Sequence, residues 1–336
     1  MKSFSFKQKA GALLIDAPRL LWALGGSARW MRYGNRRDRL RFEPDGRGVA
    51  CEWEFTRTLH LCDVFPGFGR KLRDAALRDC HIRLAEAPEE AVSPAPDVSF
   101  IVGHRGRERL PQLLPVLKSI AAQQGVRCEC IVVEQDVKPQ IRGQLPDWVR
   151  YVHDPAGAPD APYSRSRAFN AGAAQARGQV LILHDNDLLV PDRYAERAWK
   201  LVGEGYEVVN LKRFIFYRSE ELRAGESPLA GNVDFVLENA TGGGSLAVAR
   251  ETFEAIGRMD ESFAGWGGED VEFWQRAQTR RVWNYGILPL IHLWHPPQPG
   301  KSPDKKTPGM ERLRQLAALA PEQRIAALRR PRENPE

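Results

Sequence analysis

Short apolar runs separated by amphipathic stretches mark the middle of the chain. Residues 98–102, 130–134 and 180–183 are apolar in the way of buried strands, whereas 110–123 and 168–177 have helical spacing. Strands that alternate with helices predict a doubly wound α/β domain with a mostly parallel sheet. Because such sheets bind ligands beyond the carboxyl ends of their strands, polar residues that directly follow a strand are the candidates for function.

The two ends of the chain differ from this middle part. Residues 1–96 begin with scattered Lys and Arg, alternate like a strand at 51–55, have helical spacing at 68–78, and end in a Pro- and Glu-rich linker. We predict an N-terminal α+β appendage over 1–96, the α/β domain over 97–302 and a basic helical tail over 303–336. The tail is interpreted either as a solvated segment or as an element that docks on anionic lipid.

Composition indicates which partners and which compartment suit the protein, but it does not identify a ligand. A formal net charge of +6 suits phosphorylated substrates, an anionic membrane surface or nucleic acid. We expect no nucleic-acid partner, because no recognition motif accompanies the charge. Five cysteines without regular spacing predict reduced thiols and a cytoplasmic location, in solution or peripheral on the inner face of the plasma membrane. No apolar run reaches the roughly 20 residues that a spanning helix needs.

An acidic pair follows the third predicted strand of the domain. Asp185 and Asp187 flank Asn186, where both carboxylates can reach a ligand beyond the sheet edge. Carboxylate oxygens suit Mg²⁺ or Mn²⁺, and these ions bridge the oxygens of a diphosphate. Asp and Asn also form ordinary turns, so this segment alone leaves a metal site and a simple turn open.

A segment rich in glycine and acid precedes a helical stretch near residue 270. Residues 266–270 read Trp-Gly-Gly-Glu-Asp, which places two acids in a first helical turn. The helix dipole favours acids in the first turn of any helix, so they could have only a structural role. The same dipole keeps a carboxylate ionised and in a fixed orientation, as a general base requires. Glycines let a substrate approach the backbone, and Trp266 offers a flat face to a sugar ring. The glycines at 242–244 are either a flexible link or the floor of a sugar pocket.

Histidines and arginines add further candidates for the site. His292 and His295 lie three apart on an extended segment and are expected on opposite faces, so that at most one serves a given metal. Arg105 and Arg107 follow the first strand, and Arg165 precedes a helix; they are either solvated or part of a diphosphate site. The missing P-loop and dinucleotide-binding motifs weigh against those two classes.

Taken in chain order, these segments resemble GT-A glycosyltransferases of family 2 and their β-1,4-galactosyltransferase-like relatives, over roughly residues 98–301. The similar segments are Gly-His-Arg-Gly-Arg at 103–107, a Ser-Arg-Ser-Arg-Ala-Phe-Asn stretch at 164–170, the acidic pair with its following Leu-Leu-Val-Pro, and Gly-Trp-Gly-Gly-Glu-Asp at 265–270. The last of these is the most specific. A late stretch at 294–301 is similar to a segment of bacterial glycosaminoglycan synthases, and this similarity favours His295 over His292 as a metal ligand.

The resemblance implies a GT-A fold and the inverting transfer of a sugar from a nucleoside diphosphate donor, expected to be UDP, to a glycan or glycolipid hydroxyl. It implies Mn²⁺ or Mg²⁺ as cofactor, and a bacterial surface glycan such as lipopolysaccharide or capsule as the product. The implied residues are Asp270 as base with Glu269 beside it; Arg105, Arg107, Arg165, Asp185 and Asp187 for the nucleotide; Trp266, Gly267, Gly268 and Gly243 for sugar and acceptor; and Asp187, His295 and Asp185 for the metal.

Two alternatives stay open from the sequence. A sugar nucleotidyltransferase also uses carboxylates and a metal on a similar sheet, although it has no need of the Trp-Gly-Gly-Glu-Asp segment. A catalytically inactive carbohydrate-binding subunit of the same fold would keep the segments and lack turnover.

Overall fold

The computed structural model describes residues 4–27, 29–33, 40–43, 48–51, 57–58, 60–89, 95–223, 225–296 and 307–330. The helices in these ranges are α1 (Phe6–Leu24), α2 (Arg29–Arg32), α3 (His60–Val64), α4 (Pro66–Asp79), α5 (Leu110–Ala121), α6 (Arg165–Gln175), α7 (Tyr194–Gly203), α8 (Arg250–Ala255), α9 (Glu269–Ala277), α10 (Pro308–Leu316) and α11 (Pro321–Arg329). The strands are β1 (Leu40–Phe42), β2 (Val49–Cys51), β3 (Arg57–Thr58), β4 (Val98–His104), β5 (Cys128–Glu134), β6 (Arg150–His153), β7 (Val180–His184), β8 (Leu188–Leu189), β9 (Val208–Arg218), β10 (Val233–Glu238), β11 (Ser245–Ala249) and β12 (Val282–His292).

A mostly parallel sheet forms the centre of the molecule, as the apolar runs predict. Its order in the described ranges is β1-β2-β12-β9-β11-β7-β4-β5-β6, with β10 and β3 continuing from β9 and β8 pairing with β12. Strands β6, β5, β4 and β7 are parallel neighbours, and β12 is parallel to β9. The predicted α/β class with a mostly parallel sheet is therefore confirmed.

One reversed strand brings two distant loops to the same sheet edge. Strand β11 runs antiparallel to both β7 and β9, with Ser245 opposite His184. The start of β11 therefore lies beside the end of β7. The glycines before β11 and the acidic loop after β7 meet there, although about 60 residues separate them in the chain.

Both faces of the parallel strands are covered by helices. In β4, Phe100 and Val102 pack into a core with Leu113 of α5, whereas Ile101 packs on the other side with Phe169 of α6. A strand buried on both faces carries a continuous apolar run without alternation of polar residues. This is why the strand runs are visible in the sequence.

The N-terminal elements are built onto the sheet. Leu20 of α1 and Leu72 of α4 share a core with Phe214 and Phe216 of β9, and β2 and β3 pair with β12 and β10. The predicted helix at 68–78 is confirmed as α4. The predicted strand at 51–55 is described only up to its first residue, because 52–56 lie outside the described residues.

The C-terminal helices pack against α9 on one side, while most of their other residues are exposed. Glu272 and Arg276 of α9 form a fully buried ion pair at 2.6 Å, and Arg324 of α11 approaches Glu272 to 3.5 Å. Gly309 of α10 lies directly against Gly268, which precedes α9. The sequence signal, several arginines on short helices, does not distinguish a solvated guanidinium from a buried and paired one.

Within the described ranges, no helix combines the length and the apolar character needed to cross a bilayer.

Replacing Glu272 by Gln should lower the free energy of unfolding by about 3 kcal/mol, because two buried arginines then lose their negatively charged partner. Urea unfolding monitored by circular dichroism measures the loss. Glu311→Gln is the matched control, since Glu311 pairs with Arg314 in an exposed position where such pairs contribute under about 1 kcal/mol. Equal effects of the two substitutions would contradict the structural role of the pair.

Candidate active site

Histidine and backbone hydrogen bonds hold the acidic loop after β7 in place. His184 donates from Nε2 to the Leu188 carbonyl at 2.8 Å and accepts at Nδ1 from the Ser245 hydroxyl at 2.8 Å. Since a carbonyl oxygen only accepts, the ring is the neutral Nε2–H tautomer. Burial lowers the pKa of His184 to about 4, consistent with that neutral form. The Asp185 amide adds a bond to the Gly244 carbonyl at 2.8 Å.

Asn186, the middle residue of the loop, ties it to the end of β4. Its Nδ2 donates to Nδ1 of His104 at 3.0 Å, and its Oδ1 accepts from Arg109 at 3.2 Å. His104 in turn contacts the Gly106 carbonyl at 3.0 Å, and burial lowers the pKa of His104 to about 4. The two flanking carboxylates are therefore presented from a loop that is anchored on both sides.

Asp187, His292 and His295 converge into one cluster. The ligand atoms of these three side chains lie within 4.8 Å of one another. His292 Nε2 is 3.6 Å and His295 Nε2 is 3.3 Å from the Asp187 carboxylate. Pairing of β8 with β12 places His292 opposite Leu188, which positions it beside Asp187.

The prediction that the two histidines point to opposite faces is wrong. Strand β12 ends at His292, so strict alternation does not continue to His295. The Leu293 amide instead donates to the Asp187 carbonyl at 2.8 Å and turns the chain around the acidic loop. His295 is found at the metal cluster as the resemblance implies, and His292 joins it.

The atoms of this cluster fit a divalent cation. Asp187 Oδ1 is buried and has no hydrogen-bond partner among the described residues. His295 donates from Nδ1 to the Pro296 carbonyl at 2.6 Å, so Nε2 is the ring nitrogen that faces the Asp187 carboxylate. A carboxylate and two imidazoles are a donor set that Mn²⁺ accepts.

Asp187 is ionised in this setting. Burial opposes its charged form, but His292, His295 and Arg109 outweigh burial and hold the pKa of Asp187 well below its usual value. Arg109 contributes an ion pair with Asp187 at 2.7 Å. The sequence analysis missed Arg109, whose only signal is its position shortly after a strand end.

Arg165 connects the acidic loop with the start of α9. It is the first residue of α6, and its guanidinium lies 2.7 Å from Asp185 and 3.9 Å from Glu269. The same guanidinium lies over the Phe169 ring, 4.6 Å from its centroid. Asp185 is thus engaged by Arg165 and lies outside the Asp-His-His cluster. The nucleotide role of Arg165 and the metal role of Asp185 stay predictions.

The glycines before α9 are required by backbone conformation. Gly265, Gly267 and Gly268 have φ angles of 76°, 101° and 96°, a region that other residues rarely adopt. A Cβ on Gly268 would also lie 2.6 Å from the Gly309 carbonyl oxygen. Trp266 is half-buried between these glycines. Their predicted contacts with sugar and acceptor stay predictions.

The two acids that begin α9 have different surroundings. Glu269 is 13% exposed, and its Oε2 has no hydrogen-bond partner among the described residues. Burial, with the neighbouring Asp270 charge, raises the pKa of Glu269 to about 7 against the opposing effect of Arg165. Asp270 is partly exposed and accepts from the Val271 amide at 2.8 Å. A Cβ on Gly243 would overlap Asp270 Oδ2, so Gly243 keeps room for the carboxylate.

A buried lysine lies beneath these acids. Lys212 of β9 is fully buried and donates to the Ser245 carbonyl. Burial, reinforced by Arg165, lowers the pKa of Lys212 to about 7. The sequence analysis missed it, although a lysine within the apolar run of β9 is a detectable signal.

The other predicted arginines lie at the border of the site. Arg105 donates to the carbonyls of Pro159, at 2.7 Å, and Ala161, and so holds the loop before α6. Arg107 is exposed in a short 3-10 helix. Their contacts with a nucleotide stay predictions.

Two family models match the part of the chain that contains most of this site, up to residue 285 and so without His292 and His295. Residues 99–237 match the model described as Glycosyl transferase family 2, and residues 232–285 match the model described as N-terminal domain of galactosyltransferase. These matches confirm the resemblance predicted from the motifs. Residues 99–285 are thus similar to glycosyltransferase domains, and the second model covers the glycines and acids around α9. None of the curated proteins matches the chain.

Solved structures with a similar arrangement include two glycosyltransferases. One is GalNAc-T7 with UDP, GalNAc and Mn²⁺, at 15% identity and a TM-score of 0.48, where the match covers 68% of this chain and 50% of that one. Another is the catalytic domain of Drosophila beta1,4galactosyltransferase 7 with xylobiose, at 21% identity and a TM-score of 0.38, covering 65% and 79%. This chain thus spans about half the length of the first structure.

Substituting either histidine of the cluster should weaken Mn²⁺ binding about tenfold or more, because each supplies one ligand. The variants are His292→Gln and His295→Gln, and the measurement is calorimetric titration of Mn²⁺. His81→Gln, in an exposed position away from the cluster, should bind as the wild type does. If His292→Gln bound Mn²⁺ with wild-type affinity, only one histidine would serve as a metal ligand, as the sequence predicts.

Glu269 should make the folded protein less stable as pH rises. Its folded pKa, about 7, exceeds its ordinary value of 4.5, so the folded state binds the extra proton between those values. The free energy of unfolding therefore falls as pH rises from 4.5 to 7, and the loss reaches about 3 kcal/mol above pH 7. Glu269→Gln should therefore match the wild type near pH 4.5 and exceed its stability near pH 8, measured by urea unfolding. Glu251→Gln, an exposed control, should keep the wild-type pH dependence; the same result for Glu269→Gln would refute the shift.

Proposed function

We propose that this protein is an inverting glycosyltransferase that moves a sugar from a nucleoside diphosphate donor to a hydroxyl of a glycan or glycolipid. The observation that carries the proposal is the convergence at one sheet edge of the Asp187-His292-His295 cluster and the Glu269-Asp270 turn, with Arg165 between Asp185 and Glu269. Asp187 and the Glu269-Asp270 turn lie in the segments that the glycosyltransferase models match, and the two histidines follow the second of these segments.

The donor side of the site is built from Asp187, His292 and His295. These three side chains would hold a divalent cation, which would supply positive charge to the departing diphosphate. The surrounding cations Arg109 and Arg165 are positioned by their acidic partners and add to the positive potential at the same edge. We take a UDP-sugar as the donor, as the sequence resemblance implies.

The acceptor side is built from the first turn of α9. Asp270 takes the proton of the acceptor hydroxyl while that oxygen bonds to the anomeric carbon and the bond from carbon to diphosphate oxygen breaks. The nucleoside diphosphate leaves with the bonding electrons, and the configuration at the anomeric carbon inverts. Asp270 is suited to this role because it is partly exposed, whereas Oε2 of Glu269 is buried and burial raises the pKa of Glu269 to about 7.

We further propose that the protein works in a reducing, cytoplasmic compartment and contributes to a surface glycan. The described cysteine side chains support the first part, since Cys62, Cys80, Cys128 and Cys130 are all free thiols. Burial raises the pKa of each, which makes them inert rather than reactive.

The substitution Asp270→Asn should lower turnover about 10²–10⁴-fold without loss of stability, because the amide cannot take the acceptor proton. Release of nucleoside diphosphate from a UDP-sugar with a panel of glycan acceptors measures it. Glu269→Gln is the matched neighbour and should retain more activity than Asp270→Asn; the reverse order would transfer the base role to Glu269.

The products and their stereochemistry separate the alternatives. Inverted product and nucleoside diphosphate release support the proposal. Pyrophosphate release would indicate the nucleotidyltransferase, and sugar-nucleotide binding without turnover on any acceptor would indicate an inactive binding subunit.

A further inference from the structure

Helix α1 carries an apolar stripe that no part of the described structure covers. Phe6 is 86% exposed, Leu14 80%, Leu21 68% and Leu24 51%, and Leu13 is 39% exposed beside them. Spacings of seven, eight and three residues place all five on one side of the helix. The stripe runs the whole length of α1, about 28 Å at the rise of an α-helix.

The opposite side of α1 is fixed to the sheet, so the helix cannot roll to hide the stripe. Arg19 is buried and pairs with Glu238 of β10 at 2.9 Å. Asp16 is buried and accepts from the Leu61 amide at 3.0 Å. Rotation of α1 would leave these charged groups buried without partners, at a cost of several kcal/mol.

The exposed charges that α1 itself carries are positive. Lys7 and Lys9 are the exposed ionisable side chains of α1, and Arg29 of α2 is also exposed nearby in the chain. The single acid of α1, Asp16, is buried on the other side. An amphipathic helix with basic flanks and no exposed acid is complementary to a surface with an apolar interior and a negatively charged outer layer.

The geometry points to α1 as an in-plane anchor that docks this protein on an anionic lipid bilayer, with the stripe among the acyl chains and Lys7 and Lys9 at the headgroups. Charge complementarity favours the bilayer over a second copy of the chain, which would bring the same positive charge. The anchor lies outside the catalytic residues, so its test does not depend on the proposed reaction. It would hold the enzyme near lipid-linked acceptors.

Flotation of the full-length protein with vesicles tests the anchor. Wild type should bind vesicles containing phosphatidylglycerol and bind vesicles of phosphatidylcholine alone much more weakly. Leu14→Gln with Leu21→Gln should lower the partition coefficient about tenfold or more, because two side chains lose apolar burial. Lys7→Gln with Lys9→Gln should lower binding about fivefold per charge removed, and only on anionic vesicles.

The matched control carries two equivalent substitutions elsewhere. Val137 and Leu319 are 41% and 43% exposed outside α1, and their replacement by Gln should leave vesicle binding unchanged. Absence of binding to anionic vesicles, or binding that the stripe substitutions do not reduce, would overturn the proposal. A dimer in sedimentation without lipid that the same stripe substitutions convert to a monomer would also overturn the proposal. The stripe would then be an interface between two copies of the chain.

Discussion

The Arg165 guanidinium lies between two carboxylates that come from distant parts of the chain, Asp185 after β7 and Glu269 at the start of α9. Most of its side chain is buried, and Phe169 packs against its plane. Buried carboxylates that face one another without a cation would be costly. This contact is therefore what allows the acidic loop and the acidic helix start to share one edge of the sheet.

Two further basic side chains lie near that contact. Arg109 pairs with Asp187, and Lys212 lies buried below the same loop. Basic side chains at this edge of the sheet are complementary to a negatively charged ligand such as a nucleoside diphosphate.

Short-range signals explain what the sequence could predict. The buried strands were visible because helices cover both of their faces, and the Trp-Gly-Gly-Glu-Asp segment because its glycines and acids are contiguous. What stayed hidden depends on pairing between distant segments. His292 reaches Asp187 only because β8 pairs with β12, and the burial of Arg324 depends on α11 packing against α9. Neither contact leaves a periodic pattern in the chain.

The central claim is that one site holds both the cation and the donor diphosphate. Calorimetric titration of UDP into the wild-type protein, with saturating Mn²⁺ and with EDTA, tests it most directly. The account predicts that Mn²⁺ strengthens UDP binding, and that UDP strengthens Mn²⁺ binding by the same factor, because the coupling between two ligands is reciprocal. Equal affinity for UDP with and without the cation would contradict a shared site.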